Sequence, residues 1–240
     1  MTKVAVIGTG YVGCVTAACM SRDGHEVIGV DVDPEKVAAI NAGDSPVSEP
    51  GLGDLVRQEV ARGGLRATKD LDEAIAETQI GLISVGTPSD STGGVSTDAV
   101  ERVVRAVGES LRDNRDDYTV VIRSTLLPGI LEDWLAPLLY QAAGCKPGER
   151  IRLCNNPEFL RESVAISDYD APPFIVVGTM NDDNGDEILG LYDKIPGDRI
   201  VTDSRTAALL KYSCNAYHAA KIAFANEIGS LAKAFDADGQ

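Results

Sequence analysis

The chain has 240 residues, of which 44% are hydrophobic and 5% aromatic, and these proportions are ordinary for a soluble α/β protein with a sizeable core. Its 37 acidic and 22 basic side chains give a formal net charge of −15, and a surface of that charge repels nucleic acids and anionic membranes. We therefore expect neither of them as a partner.

The N-terminal sequence and the cysteines indicate the cellular compartment. The opening residues, MTKVAVIGTGYVG, enter a strand pattern directly, without the charged and apolar regions of a signal peptide. No apolar run approaches the length of about 18 residues that a membrane-spanning helix needs. The five cysteines are odd in number and contain no CxxC pair, so we expect reduced thiols in the cytoplasm and neither disulfides nor a metal site.

Short runs rich in Val and Ile alternate with longer amphipathic segments along most of the chain. Such buried strands separated by helices predict a parallel, doubly wound α/β sheet that binds ligands at the carboxyl ends of its strands. The predicted strands are 3–8, 26–31, 65–68, 79–85, 119–123, 151–155, 174–178 and 199–201. The predicted helices are 11–23, 34–41, 51–62, 70–77, 98–112, 128–142 and 182–193.

Gly8, Gly10 and Gly13 form a G-x-G-x-x-G turn between the first predicted strand and the first predicted helix. Gly8 permits the tight turn, Gly10 the close approach of a pyrophosphate, and Gly13 the close packing of helix on strand. The second predicted strand ends in Asp31, whose carboxylate accepts hydrogen bonds from ribose hydroxyls and repels a 2′-phosphate. The pattern predicts a Rossmann-like site for NAD rather than NADP.

Two later strands end in loops rich in hydroxyl groups. The stretches LISVGTPSDSTGG and VVIRSTLLPG place Thr87, Ser124 and Thr125 at the edge of the sheet where a dinucleotide would lie. These residues either contact nicotinamide, ribose or a water molecule, or only stabilise the turns. Cys14 begins the first predicted helix, where a thiolate is favoured, but a small packing residue is the stronger interpretation.

The segment CNNPEFLRES, after the sixth predicted strand, contains Glu158 and Glu162 four residues apart. If the segment is helical, the two carboxylates share a face. In a cleft beside a lysine they would act as a general base, a water-orienting group or a counter-ion. A solvated face of glutamate and arginine is the alternative.

From residue 203 onward roughly 35 residues contain no proline and no glycine before Gly229, which predicts one long helix. We therefore expect a domain at 1–203 and a central helix at 204–240. Leu210, Tyr217, Phe224 and Leu231 recur every seven residues on one side, and such a helix either spans two bodies or pairs with a second copy. We expect a homodimer formed through the helix at 204–238.

Another side of this helix carries Lys211, Asn215, His218 and Asn226. At about 100° per residue their side chains lie within a sector of about 80°. A lysine and an asparagine one turn apart direct donors at one oxygen, as a nicotinamide enzyme needs for the alkoxide of an alcohol that it oxidises. His218 and Asn226 would hold the rest of the ligand.

In these motifs the chain resembles the nucleotide-sugar 6-dehydrogenases. The stretches GTGYVG, VGTP, RSTLLPG, NPEFLRES and KYSCNAYHAAKIAFANEIG occur in the family's order and span essentially the whole chain. RESVAISDYDAPP and the histidine of NAYHAAK are most similar to the members that oxidise GDP-mannose to GDP-mannuronate for alginate-type polysaccharides. Oxidation of UDP-glucose or of a UDP-N-acetyl-hexosamine is the alternative.

The resemblance implies that NAD oxidises the sugar C6 alcohol to an aldehyde, that a cysteine captures the aldehyde, and that a second oxidation and hydrolysis give the carboxylate. It implies NAD contacts from Tyr11, Val12, Asp31, Lys36, Thr87 and Thr125. It implies substrate contacts from Glu162, Lys211, Asn215, His218 and Asn226, with Glu158 nearby. Lys211 and Asn215 would form the oxyanion site, and Thr125 with a glutamate would orient the hydrolytic water.

The family's nucleophile lies in a Gly-Phe-Gly-Gly-x-Cys motif beyond the central helix, and none of the five cysteines sits in such a motif. The chain thus resembles the NAD half and central helix of the family, without the second nucleotide-binding domain, and we expect it to be inactive alone.

Two other interpretations stay open. One is a β-hydroxyacid dehydrogenase, although DSRTAALLKYSCN lacks the Gly-rich segment before the lysine, and the other is a non-catalytic NAD-binding or dimerisation module.

Overall fold

An eight-stranded sheet organises the molecule, in the order β3-β2-β1-β4-β5-β6-β7-β8. The computed structural model describes residues 1–89, 93–114, 116–180 and 185–239. The strands are β1 (Lys3–Ile7), β2 (Glu26–Val30), β3 (Leu65–Thr68), β4 (Ile80–Ile83), β5 (Tyr118–Ile122), β6 (Ile151–Asn155), β7 (Phe174–Thr179) and β8 (Asp198–Asp203). Neighbouring strands are parallel except β6 and β7, so the prediction of a mostly parallel, doubly wound sheet is confirmed.

The helices connect the strands and cover the sheet. They are α1 (Tyr11–Arg22), α2 (Pro34–Asn41), α3 (Leu52–Ala61), α4 (Leu71–Glu77), α5 (Asp98–Leu111), α6 (Ala136–Ala143), α7 (Ala165–Asp170), α8 (Asp186–Leu189) and α9 (Ser204–Ala234). Among them only α7 was not predicted. The predicted helix 182–193 begins on residues 182–184, which lie outside the described residues, as do residues 90–92 of the loop after β4.

The predicted helix 128–142 is interrupted by a change of hydrogen-bond pattern. Residues Leu131–Leu135 form a π-helical turn, which ends with a hydrogen bond from Ala136 N–H to the carbonyl of Leu131. Pro137 follows inside the first turn of α6. Because proline has no N–H and its ring crowds the preceding turn, a regular α-helix across this point would be strained. The wider π turn accommodates the proline.

The core lies on both faces of the sheet, as expected for a sheet with helices on each side. Along β1, Val4 and Val6 contact one apolar cluster, whereas Ala5 and Ile7 contact the other. All four side chains are buried, and burial of a large aliphatic side chain contributes about 1.5–3 kcal/mol. This alternation holds the strand rigidly, so the loops at its carboxyl end have a fixed position.

Helix α9 packs on the sheet only through its first two turns. Asp203 caps the helix by accepting a hydrogen bond from Thr206 N–H at 2.9 Å. Ala207, Ala208 and Lys211 are buried, whereas most residues after Lys211 are exposed. No helix in the described part of the chain combines the length and apolar content needed to cross a membrane.

We predict that Gly178→Ala lowers the free energy of unfolding. A Cβ atom at this position in β7 would lie 2.8 Å from Ser204 Cα and 2.6 Å from Ala207 Cβ, so the start of α9 would have to move. Overpacking of this kind costs about 1–3 kcal/mol. Urea denaturation measures the effect, with Gly53→Ala in α3 as the control because a Cβ there meets no atom within 4 Å. Equal stability of Gly178→Ala and the unmodified chain would contradict the packing described.

Candidate functional site

The glycine turn joins β1 to α1 in a conformation that only glycines permit. Gly8 has φ +96°, and a Cβ atom on Gly13 would lie 1.8 Å from the carbonyl oxygen of Gly8. A Cβ on Gly10, in contrast, would meet no atom within 4 Å, so the chain leaves open space beside Gly10 at the N-terminus of α1. Such space, next to free helix N–H groups, accepts a phosphate.

Asp31 lies at the carboxyl end of β2, directly beside this turn. Its carboxylate accepts hydrogen bonds from Thr9 N–H (2.8 Å), the Thr9 hydroxyl (2.9 Å) and Asp33 N–H (3.0 Å), and pairs with Lys36 at 3.3 Å. Burial alone raises the pKa of Asp31, but the hydrogen bonds from Asp33 and Thr9 and the charge of Lys36 outweigh it, so the pKa is lowered. Asp31 is therefore a fixed anion.

A cavity of about 490 Å³ extends from the glycine turn along the sheet edge. That volume lies within the range of about 300–1,000 Å³ that small-molecule sites have. Three polar side chains of its wall were not singled out from the sequence, namely Lys69, Ser84 and Arg102. The hydroxyl of Ser84 is buried and has no hydrogen-bond partner among the described residues. An open turn, a fixed carboxylate and an unpaired hydroxyl around one cavity fit a dinucleotide.

The loops after β4 and β5 meet at the same edge. The Ser124 hydroxyl donates to the carbonyl of Val85 at 2.6 Å, which ties the two loops together. Ser124 is thus engaged in turn chemistry, the structural alternative weighed for it. Thr87 and Thr125 are half-buried in these loops, and no hydrogen bond joins the Thr125 hydroxyl to another described residue. Thr125 is free to contact a ligand.

Lys211 and Glu158 form a buried ion pair at the neighbouring strand end. The Lys211 ammonium donates to Glu158 at 2.9 Å, and their side chains are only 8% and 11% exposed. The ammonium also lies 5.3 Å from the centre of the Phe159 ring. Because β6 is parallel to β5, Glu158 lies at the edge that also carries Thr125. The structure therefore brings Lys211 to the cofactor edge of the sheet.

The condition under which Glu158 and Glu162 would share a helix face is not met. Residues 156–161 contain no regular secondary structure. Pro157 disfavours helix for the residue before it, and Glu158 accepts a hydrogen bond from Leu160 N–H at 2.6 Å instead. Glu158 is buried against Lys211, whereas Glu162 is exposed. The two carboxylates occupy different environments.

The polar side of α9 extends well beyond this pair. Asn215, His218 and Asn226 are all exposed, in contrast to Lys211. At 1.5 Å per residue, Asn226 lies about 22 Å along the helix axis from Lys211 and His218 about 10 Å. Only Asn215 is close enough along the helix to share one oxygen with Lys211. A ligand bound at Lys211 must therefore be elongated if it is also to contact His218 or Asn226.

Neither Tyr11 nor Cys14, both in α1, presents a reactive group to the cavity. The Tyr11 hydroxyl donates to Glu49, a residue that the sequence did not single out. Cys14 is 1% exposed, and burial raises the pKa of its thiol to about 11. Burial likewise raises the pKa of Cys19 to about 12. The packing interpretation of Cys14 is therefore the one that the structure supports.

Comparison with known proteins gives matches along the whole chain. Residues 2–196 match the NAD binding domain of the UDP-glucose/GDP-mannose dehydrogenase family, and residues 205–240 match its central domain. The chain is 44% identical over 238 residues to GDP-mannose 6-dehydrogenase of Pseudomonas syringae pv. syringae, which covers 99% of this chain and 54% of that protein. The chain thus spans about half the length of the curated relatives it matches.

Two solved structures are similar to this fold. A ternary complex of GDP-mannose dehydrogenase from Pseudomonas aeruginosa has a TM-score of 0.95 and 43% identity, covering 98% of this chain and 54% of its own. A UDP-glucose dehydrogenase from Pyrobaculum islandicum has a TM-score of 0.93 and 36% identity, covering 100% of this chain and 55% of its own.

We predict that the Lys211–Glu158 pair is strongly coupled. Glu158→Gln leaves a buried ammonium without a counter-ion, and such a loss costs about 3–5 kcal/mol. Lys211→Met leaves the carboxylate unpaired in the same way, but the double variant buries no charge. Urea denaturation of all four proteins should show that the double variant is destabilised by at least about 3 kcal/mol less than the sum of the two single variants.

The control is the exposed pair of Arg57 and Asp54, whose side chains are 60% and 77% exposed. Asp54→Asn should change stability by less than about 1 kcal/mol. Strictly additive effects at Lys211 and Glu158 would contradict the buried pairing.

Proposed function

Since the chain belongs to the UDP-glucose/GDP-mannose dehydrogenase family, we propose that it carries the cofactor site and part of the substrate site for oxidation of the C6 hydroxyl of GDP-mannose to a carboxylate. The supporting observation is that the buried Lys211–Glu158 pair lies at the sheet edge that also carries the dinucleotide turn. NAD, the cofactor of the matched domain, accepts hydride from the alcohol carbon when bound.

The residues at the cavity divide into those that hold the pyrophosphate and those that hold the ribose. Gly10 leaves the space for the pyrophosphate, and the free N–H groups of Tyr11 and Val12 face it. Asp31 accepts from the adenosine ribose while Lys36 and Thr9 keep its carboxylate fixed. Thr87 and Thr125 approach the nicotinamide end from the loops after β4 and β5.

Lys211 and Asn215 stabilise the charge that develops on the sugar oxygen. Burial at 6% exposure keeps the Lys211 ammonium away from competing water, so its attraction for an alkoxide is larger than on a surface. Glu158 holds the ammonium in place through its hydrogen bond. Glu162, His218 and Asn226 contact more distant parts of the sugar nucleotide, and Thr125 with a glutamate orients the hydrolytic water.

The capture of the aldehyde needs a thiolate, and we propose that none of the described cysteines supplies it. Cys14 and Cys19 are buried, with pKa values raised by burial to about 11 and about 12. Cys154 is buried within β6, and Cys214, which is half-buried on α9, lies outside the Gly-Phe-Gly-Gly-x-Cys motif like the other four cysteines. Burial also raises the pKa of Cys145, and that side chain lies beyond the C-terminus of α6. Residues 1–240 alone should therefore bind the reactants without releasing GDP-mannuronate.

The choice of GDP-mannose rests on similarity. The similar GDP-mannose enzymes are 42–44% identical to this chain, whereas the UDP-glucose enzyme from Pyrobaculum is 36% identical. Oxidation of UDP-glucose is the second candidate. A non-catalytic NAD-binding module is the candidate of another class. We propose that the reaction takes place in the cytoplasm, where free cysteines such as these five stay reduced.

Calorimetry with the chain saturated in NADH separates these candidates. GDP-mannose should bind, UDP-glucose should bind more weakly, and Lys211→Ala should weaken GDP-mannose binding by roughly 10- to 150-fold, since a charged hydrogen bond contributes about 1.5–3 kcal/mol. Tighter binding of UDP-glucose would favour the second candidate. Absence of any sugar-nucleotide binding would favour the non-catalytic module. GDP-mannuronate formed by residues 1–240 would contradict the assignment of the cysteines.

We predict that the chain binds NADH more tightly than NADPH, and that Asp31→Ala narrows the difference. The fixed carboxylate beside the turn repels a 2′-phosphate, whereas Lys36, Lys69 and Arg102 near the same cavity would attract one once Asp31 is removed. Fluorescence titration of both cofactors measures the ratio. Glu35→Ala, at a residue of α2 outside the cavity wall, should leave the ratio unchanged. Equal affinities in the unmodified chain would refute the prediction.

We predict that α9 forms a symmetric dimer and that Tyr217→Asp dissociates it. Tyr217, Phe224 and Leu231 are 67%, 69% and 54% exposed, and such an apolar row along a protruding helix is typical of a protein interface. Light scattering at high micromolar concentration measures the mass. Ala219→Asp, on another side of the helix, is the control and should leave the dimer intact. A monomer in the unmodified chain would count against this assembly.

A further inference from the structure

Glu49 lies between the cofactor turn and the segment that carries Glu162, although it belongs to neither. Its side chain is buried, at 8% exposure. One carboxylate oxygen accepts hydrogen bonds from the Tyr11 hydroxyl and from Ser163 N–H at 2.9 Å. The other oxygen accepts from Ala165 N–H at 2.8 Å. A single carboxylate therefore joins α1 to the chain that enters α7.

The segment that Glu49 holds adopts a backbone conformation that needs support. Ser163 has φ +71°, which is uncommon for a residue other than glycine and costs about 1–3 kcal/mol. No side chain of its own caps α7, which begins at Ala165. Glu49 supplies the acceptor instead, from a position 116 residues earlier in the chain. The turn at Ser163 therefore depends on this distant carboxylate.

Tyr11 links the same carboxylate to the cofactor turn. It is the first residue of α1, directly after Gly10, and its hydroxyl also accepts a hydrogen bond from Ser163 N–H at 3.0 Å. The pKa of Tyr11 is raised to about 12, mainly by burial and next by the hydrogen bond to Glu49. The charge of Glu162 adds to the shift. The phenol keeps its proton and remains a donor. Glu162 is thus near Tyr11, immediately before the strained Ser163.

We propose that Glu49 is a positioning residue, which with Tyr11 couples occupancy of the dinucleotide turn to the conformation of residues 161–165. A cofactor that fixes the first turn of α1 also fixes the Tyr11 ring, and through Glu49 it fixes the backbone around Ser163. Glu162 is then ordered for its substrate contact only when the cofactor is bound. The inference rests on the proposed function, since it assumes that the turn binds NAD(H).

The direct test is hydrogen exchange of the Ser163 and Ala165 amides, followed residue by residue by NMR, without and with saturating NADH. In the unmodified chain NADH should slow both amides by about tenfold, the equivalent of one additional charge-assisted hydrogen bond. In Tyr11→Phe, compared at its own saturating NADH concentration, the slowing should fall below about twofold. In Glu49→Gln at least one of the two amides should exchange at least about tenfold faster before NADH is added, because glutamine keeps one acceptor oxygen and replaces the other with an NH₂ group that cannot accept.

Glu59→Gln is the matched control. Glu59 is a glutamate of α3 with 4% exposure that accepts from Ser21 and Arg62 rather than from the 161–165 segment. The Glu59→Gln variant should show the same exchange rates at the Ser163 and Ala165 amides, and the same slowing of these rates by NADH, as the unmodified chain. Its global stability should be lower. If Glu49→Gln does not fold, Tyr11→Phe still decides, because its hydroxyl is the only group removed.

The outcomes separate the two claims. NADH binding with the same slowing in Tyr11→Phe as in the unmodified chain would overturn the coupling. Normal exchange of both amides in Glu49→Gln would overturn it as well. Failure of the unmodified chain to bind NADH would overturn the proposed function, and the coupling with it.

Discussion

The contact between Gly13 and the carbonyl oxygen of Gly8 is the constraint from which the site follows. Because no Cβ stands between them, α1 begins directly after the turn that follows β1, and the open space beside Gly10 lies at the N-terminus of α1. The same turn brings Thr9 to Asp31 at the end of β2. Parallel strands then place the loops after β4, β5 and β6 at this edge. A bulkier residue at Gly13 would move the helix, and with it every one of these positions.

The substrate side of the site depends on one buried ion pair, that of Lys211 and Glu158. An isolated ammonium at the position of Lys211 would be costly, and Glu158 offsets that cost from a loop that has no regular structure. The loop is held in turn by Lys211 at one end and by Glu49 at the other. The catalytic role proposed for Lys211 therefore depends on contacts that fix an otherwise irregular segment.

Local patterns in the sequence were sufficient to predict most of the fold. The strands of the sheet appear where Val and Ile cluster, and the glycine spacing placed the turn correctly. The sequence did not reveal α7, because its cap comes from Glu49, far away in the chain. It also suggested a helical pairing of Glu158 and Glu162, which Pro157 and the bond to Leu160 prevent. Long-range hydrogen bonds leave no periodic signal, so only the structure could give them.

The most direct test of the account is the affinity of Gly10→Ala for NADH, measured together with its thermal stability. The melting temperature of this variant should change little, because a Cβ at Gly10 meets no atom within 4 Å other than those of its chain neighbours. NADH should bind at least about tenfold more weakly, because the methyl group fills the space reserved for the pyrophosphate. Unchanged NADH binding by a stable Gly10→Ala chain would contradict the assignment of this turn as the dinucleotide site.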